Sequence, residues 1–212
     1  MFREVYSEFE IKEQWIKVGT DQSYSSMHCV GTSTEALDAR VVTKKCRGFR
    51  QREKVRGTGT GKLTQKLHVP YAIYKKIYAT ERSTLVSGVS AYGQGSVHPE
   101  FSLTQKVLDE DDEVKYKAYP RCVLESGPQR PIENGAEEVS ELDLEIALLP
   151  DEYGECMYEA LDKDLDSTTK AAWLESFSPA LVRGLSGSGS SSGSGSSSGS
   201  GSEGSGTSGS GN

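Results

Sequence analysis

Histidine is scarce in this chain: three residues, His28, His68 and His98, far apart in 212. That excludes an H-E-x-x-H signature and an H-x-E paired with cysteines, and residues 1–183 contain no G-x-S-x-G nucleophile turn. The four cysteines, Cys29, Cys46, Cys122 and Cys156, contain no C-x-x-C pair. They read as reduced thiols filling small apolar sites rather than as a disulfide framework. His28-Cys29 has no second ligand at metal spacing, so it reads as structural. Long apolar runs are missing as well, with none near the roughly 18–20 residues a helix needs to cross a bilayer. The opening MFREVYSEFE breaks every apolar residue with a charge or polar group, unlike an export signal. Catalytic, metal and cofactor-binding residues are therefore all expected to be none, and the chain is expected not to be an enzyme.

Two tempting motifs fail on chemistry. The run Arg56–Lys62, RGTGTGK, resembles a phosphate loop, but Arg56 stands where that motif needs its first Gly. Leu63 stands where a Ser or Thr would hold Mg²⁺. The acidic run Asp109–Glu113, DEDDE, lacks the spaced ligands and central Gly of a calcium loop, and reads as a solvated turn that cannot be buried.

What is present divides the chain in two. Residues 184–212 are nearly all Ser and Gly, with too little apolar surface to offset backbone ordering, and are expected to form a flexible coil reaching roughly 30 Å root-mean-square. This segment reads either as a native appendage or as a linker from an engineered fusion. Residues 1–183 are the size of one domain. Charge is also divided: the total of −7 is made of +6 over residues 1–100 (16 Lys plus Arg against 10 acids) and −13 over residues 101–212 (8 against 21).

Alternation of apolar and polar residues gives mostly strands. Thr20–Thr34 reads as loop, and Val41 and Val42 as part of a strand. The basic stretch Arg40–Lys66 includes Lys44, Lys45, Arg47, Arg50, Arg52, Lys54, Arg56 and Lys62. Its Gly/Thr run reads as an extended, mobile loop or hairpin tip. Leu63, Leu67 and Val69 share one strand face, and Pro70 opens a short helix to Ala79. Phe101–Val107 and Val114–Leu124 form a hairpin about the acidic turn, with Pro120 marking an edge or bulge. Leu142, Leu144, Ile146 and Leu148 alternate with Glu141, Asp143 and Glu145, the clearest strand in the chain. Ser167–Phe177 reads as a capped amphipathic helix. The fold class is mainly β, an antiparallel sandwich or partly closed barrel with one or two short flanking helices.

Several stretches resemble the major tail proteins of long, non-contractile-tailed bacteriophages, particularly those of Gram-positive hosts. They are Val55–Tyr78 (VRGTGTGKLTQKLHVPYAIYKKIY), Tyr116–Leu124 (YKAYPRCVL), Pro131–Leu161 (PIENGAEEVSELDLEIALLPD, then EYGECMYEAL) and Trp173–Val182 (WLESFSPALV). The resemblance covers most of residues 40–183. It implies a tail-tube subunit in which six copies form a ring and rings stack head to tail around a lumen for duplex DNA. The implied partners are further copies of the chain, tape-measure, tail terminator and tail initiator proteins, and DNA in passage without sequence preference. No membrane, cofactor or reaction is implied; the location is the virion tail, assembled in the host cytoplasm. Within that frame Arg47, Arg50, Arg52, Lys54, Arg56 and Lys62 are expected at a subunit interface, opposite Asp109, Asp111 and Asp112 of a neighbour. Glu141, Asp143 and Glu145 are expected to face the lumen, where like charge keeps DNA from adhering. The alternative is a nucleic-acid-binding module using residues 40–66, whose affinity would fall steeply with salt.

Overall fold

The computed structural model describes residues 6–183 except positions 28, 47, 48, 136 and 138, with backbone only for 44–46 and 49–52. The Ser/Gly tail, residues 184–212, therefore lies outside the described residues. The described residues form one antiparallel sheet with three short α-helices. Its strands are β1 (Glu10–Val18), β2 (Ser25–Met27), β3 (Val30–Cys46), β4 (Phe49–Leu67), β5 (Phe101–Leu108), β6 (Val114–Leu124), β7 (Leu142–Leu148) and β8 (Tyr158–Leu161). The helices are α1 (Tyr71–Ile77), α2 (Ser167–Trp173) and α3 (Pro179–Val182). Strand order is β2-β1-β5-β6-β7-β4-β3, with β8 on β6. The two outermost strands, β2 and β3, are joined through residues 28 and 29 only, so the sheet curls until its ends approach. The result is a partly closed barrel.

Two apolar clusters hold it together. Inside the barrel, Ile16, Leu63, Leu67, Leu103, Tyr119, Leu144, Ile146 and Leu148 are all essentially buried. Three interior glutamines, Gln14, Gln65 and Gln105, satisfy one another by amide hydrogen bonds of 2.7–3.1 Å, which fastens β1 to β4 across the interior. On the outer face of β1, β5 and β6, Trp15, Tyr116 and Ala118 pack with Trp173 and Phe177 of and after α2. Asp166 caps α2 by accepting from the Thr168 and Thr169 amides, so the cap is one residue before the Ser-Thr-Thr run that marks it in the sequence.

Four sequence readings need correction. Thr20–Thr34 is not one loop: it supplies β2 and the start of β3, where Thr32 and Thr34 pair with Lys66 and Thr64. The Gly/Thr run is not a mobile tip either. It lies within β4 as a bulge, residues 57–61 standing opposite 37–39. Thr60 donates to the Asp38 carboxylate at 2.9 Å, and Gly59, at φ +75°, leaves no room for a Cβ beside the Gly154 carbonyl. Strand β6 does not keep one apolar face. Its bulge at Pro120–Arg121 swaps faces, so Tyr116 and Ala118 meet α2 while Tyr119, Cys122 and Leu124 enter the barrel. Of the cysteines, Cys122 and Cys156 are buried as expected, but Cys29 is exposed, at φ +59°.

Candidate assembly interface

Strand β4 belongs to the barrel only from Gly61 to Leu67, where it pairs with β7. Beyond that point β3 and β4 continue alone as a two-stranded arm. Ala39–Cys46, at about 3.3 Å per residue, projects roughly 25 Å. Residues 39–42 and 53–57 are exposed at consecutive positions, so over these residues both faces of the ribbon are in solvent. The register sorts the arm chemically. Val41 stands opposite Val55 on one face, 60% and 66% exposed. Arg40 stands opposite Arg56 and Val42 opposite Lys54 on the other. Further out, Lys44 is opposite Arg52 and Lys45 opposite Arg50. Like charges placed directly opposite destabilise a strand pair, and a lone two-stranded ribbon is marginal in water. These features suit a surface that is completed by another molecule.

Of the cations expected at an interface, Lys54 and Arg56 lie on this arm, exposed. Arg50 and Arg52 lie on its backbone without described side chains, and Arg47 lies outside the described residues. Lys62 is placed differently, on the barrel wall, where it pairs with Glu125 and Glu145 at 3.2 Å each. The hydrogen bonds it donates to those two carboxylates raise its pKa.

The acidic turn departs from its expected form. Asp109 is buried at 5% exposure, and its Oδ1 accepts from the Asp111 and Glu113 amides at 2.9 and 2.7 Å. It is the organiser of the turn. Only Asp111 and Asp112 are presented to solvent beside Glu110. The strand directions also set this turn at the same end of the sheet as the arm, because β6 runs parallel to β4 through their shared neighbour β7.

Asp143 and Glu145 of β7 share the outward face, as expected, with Glu141 just before the strand, but the adjoining β4 adds lysines to it. Lys66 lies 3.5 Å from Asp143, and Lys62 holds Glu145. With Glu125 the face carries four carboxylates and two ammonium groups, so it is mixed in sign with an acidic excess.

Two further features escape sequence reasoning. Inside the seam between the amino-terminal segment and β3, Lys117 is nearly buried and lies 2.8 Å from Glu8 and 3.3 Å from Glu35. Tyr119 donates a short hydrogen bond to the same Glu35 carboxylate. Burial pulls the Lys117 pKa down, but the hydrogen bonds and charges of Glu8 and Glu35 outweigh it, and the pKa is raised. The amine is held protonated, which suits fastening and not nucleophilic attack. The second feature is an open groove of about 530 Å³ where β4 ends and α1 begins, walled by residues 130–133 and 139–142. The Arg130 guanidinium stacks 3.7 Å over Tyr74, while Ile132 and Val139 are 86% and 82% exposed. The isolated Ile and Val in an otherwise polar loop were the available signal. Among the described residues, no group of three His, Cys, Asp or Glu side chains is arranged to hold a metal ion.

No family model and no curated protein matches the chain. Among solved structures, it is similar to a chain of the anti-feeding prophage baseplate, solved by cryo-electron microscopy with six-fold symmetrisation. The TM-score is 0.42 at 12% identity, covering 76% of this chain and 97% of that one. It is similar also to a chain of the anti-feeding prophage cap, the tube-terminating cap, with TM-score 0.42 at 11% identity, covering 75% and 96%.

Proposed function

We propose that this chain is the repeating subunit of a phage tail tube: copies join into rings, the rings stack, and the stack conducts DNA. The observation that carries this reading is the arm. A ribbon of roughly 25 Å with solvent on both faces, valines on one side and facing cations on the other, gains stability only when a neighbour covers it. The resemblance to long-tailed phage major tail proteins runs through the arm's base, the barrel strands and the closing helices, and supplies the ring-and-tube arrangement. In this reading six copies form each ring, the subunit performs no reaction, and its partners are its own copies, the tape-measure protein, and the tail initiator and terminator. The outward face of β7 lines the lumen, where the acidic excess of Glu125, Asp143 and Glu145 over Lys62 and Lys66 repels the DNA backbone.

The test is assembly of the purified full chain as concentration rises, followed by sedimentation velocity and negative-stain microscopy. Rings or tubes are expected. A chain that stays monomeric at every concentration, including beside a tail initiator, would contradict the proposal. The cationic arm face, Arg40, Lys54 and Arg56, favours one other reading, a nucleic-acid-binding module. Duplex-DNA affinity that falls with salt by about 0.9 log unit per phosphate contact and per log unit of salt, without any tube formation, would select it instead.

A further inference from the structure

We propose that the groove between α1 and the segment 130–142 is the socket for the β3–β4 arm of another copy of this chain. This rests on the tail-tube reading and names the acceptor surface, which the buried Asp109 and the position of the 109–113 turn do not provide.

Position is the first argument. Arm and groove lie at opposite ends of the same strand: the arm leaves β4 before Gly57, and the groove begins at Leu67. Ten residues of extended chain separate them by roughly 33 Å, and the arm points away from the groove. An arm therefore cannot fill the socket of its own molecule, and can fill only that of the next. Such a contact joins two different surfaces, repeats head to tail, and builds a polymer with a direction.

Chemistry is the second. The arm offers Val41 and Val55 on one face, and the groove offers Ile132, Val139 and Tyr71, all exposed. Arg40, Lys54 and Arg56 form no ion pair among the described residues. At the groove, Glu133 and Glu141 are likewise without one among the described residues. Seating the valine face on the apolar floor lets the long cationic side chains reach over the acidic rim. That relieves the repulsion between Arg40 and Arg56 and covers apolar surface on both partners.

Charge reversal in two separate chains tests it. One variant carries Arg40→Glu, Lys54→Glu and Arg56→Glu; the other carries Glu133→Lys and Glu141→Lys. The arm positions and the Glu133 side chain are exposed, and Glu141 is half-exposed, so circular dichroism should report folded barrels. The expected result is that neither variant forms tubes alone, whereas an equimolar mixture does, because each then meets a socket of the opposite sign. If the arm variant fails while the socket variant assembles normally, the inference is overturned and the tail-tube reading stands. Loss in both variants without rescue by mixing also overturns it, as does assembly of the arm variant alone. If the unaltered chain forms no tubes, both proposals fall.

Discussion

Lys117 is the residue whose position costs most and constrains most. A lysine this deep is tolerated because two carboxylates meet it, Glu8 from the segment before β1 and Glu35 from β3. Three distant stretches of chain are thereby tied across the barrel seam. Replacing it with methionine keeps the length and removes the charge, leaving Glu35 beside Tyr119 without its cation. One-sided removal of a buried pair costs on the order of 3 kcal/mol, read as a lower urea midpoint at unchanged slope. The loss should depend on pH. Glu8 is held below its ordinary 4.5, since hydrogen bonds and charge from Lys117 and Lys115 outweigh burial; its contribution is present above that value and fades as pH falls through the depressed one. Lys117 is held above its ordinary 10.5, burial being outweighed by its carboxylates; its contribution is full below that value and fades as pH rises through the raised one. The gap between parent and Lys117→Met should be widest between about pH 5 and 10 and narrow on both sides. A gap that stays constant from acid to alkali would show that the pair is not its source.

At the scale of elements, strand β7 was fully legible: Leu142, Leu144, Ile146 and Leu148 point inward and the acids outward. It pairs on both sides without a bulge, so a period of two survives along its whole length. Strand β6 was not, because one extra residue near Pro120 inverts its faces, and a bulge leaves only a proline as its mark. Strand β1 was missed altogether, since Gln14 and Lys12 interrupt the pattern and Gln14 is interior only because Gln65 and Gln105 satisfy it. The arm was half legible. Its cations and its extended character were visible, but the register that pairs Val41 with Val55 and Arg40 with Arg56 is a property of the folded hairpin. Since none of the described side chains between 40 and 56 belongs to either core cluster, the barrel should not need the arm. Joining Ala39 to Gly57 through a two-residue Asn-Gly turn, the kind suited to a tight hairpin, should keep a folded β-type circular dichroism spectrum, reduced only by the strand residues removed. The melting temperature should shift by no more than a few degrees, because the pairs removed include like charges that oppose one another. Collapse of the barrel on this excision would mean that the arm is part of the fold and not an appendage to it.

For the whole molecule, the uneven charge of the sequence halves acquires a direction only through the fold. The basic arm and the acidic 130–142 segment lie at opposite ends of β4, so each subunit has a donating and a receiving end. A chain with a socket but no arm can still accept the arm of a neighbour while offering nothing onward. The excised variant is therefore expected to act as a terminator. Added at a small fraction to the unaltered chain, it should enter growing tubes and shorten them, with a mean length in negative-stain images that falls as its share rises. The socket-reversed variant, which donates an arm but cannot receive one, should shorten tubes from the opposite end. The two together should limit growth at both. Should the armless chain be excluded from tubes and leave their length unchanged, the receiving surface would have to include the arm itself. Arm-to-arm pairing is a two-fold contact that closes at a dimer, so it could not by itself extend the tube, and the head-to-tail assignment would have to be given up.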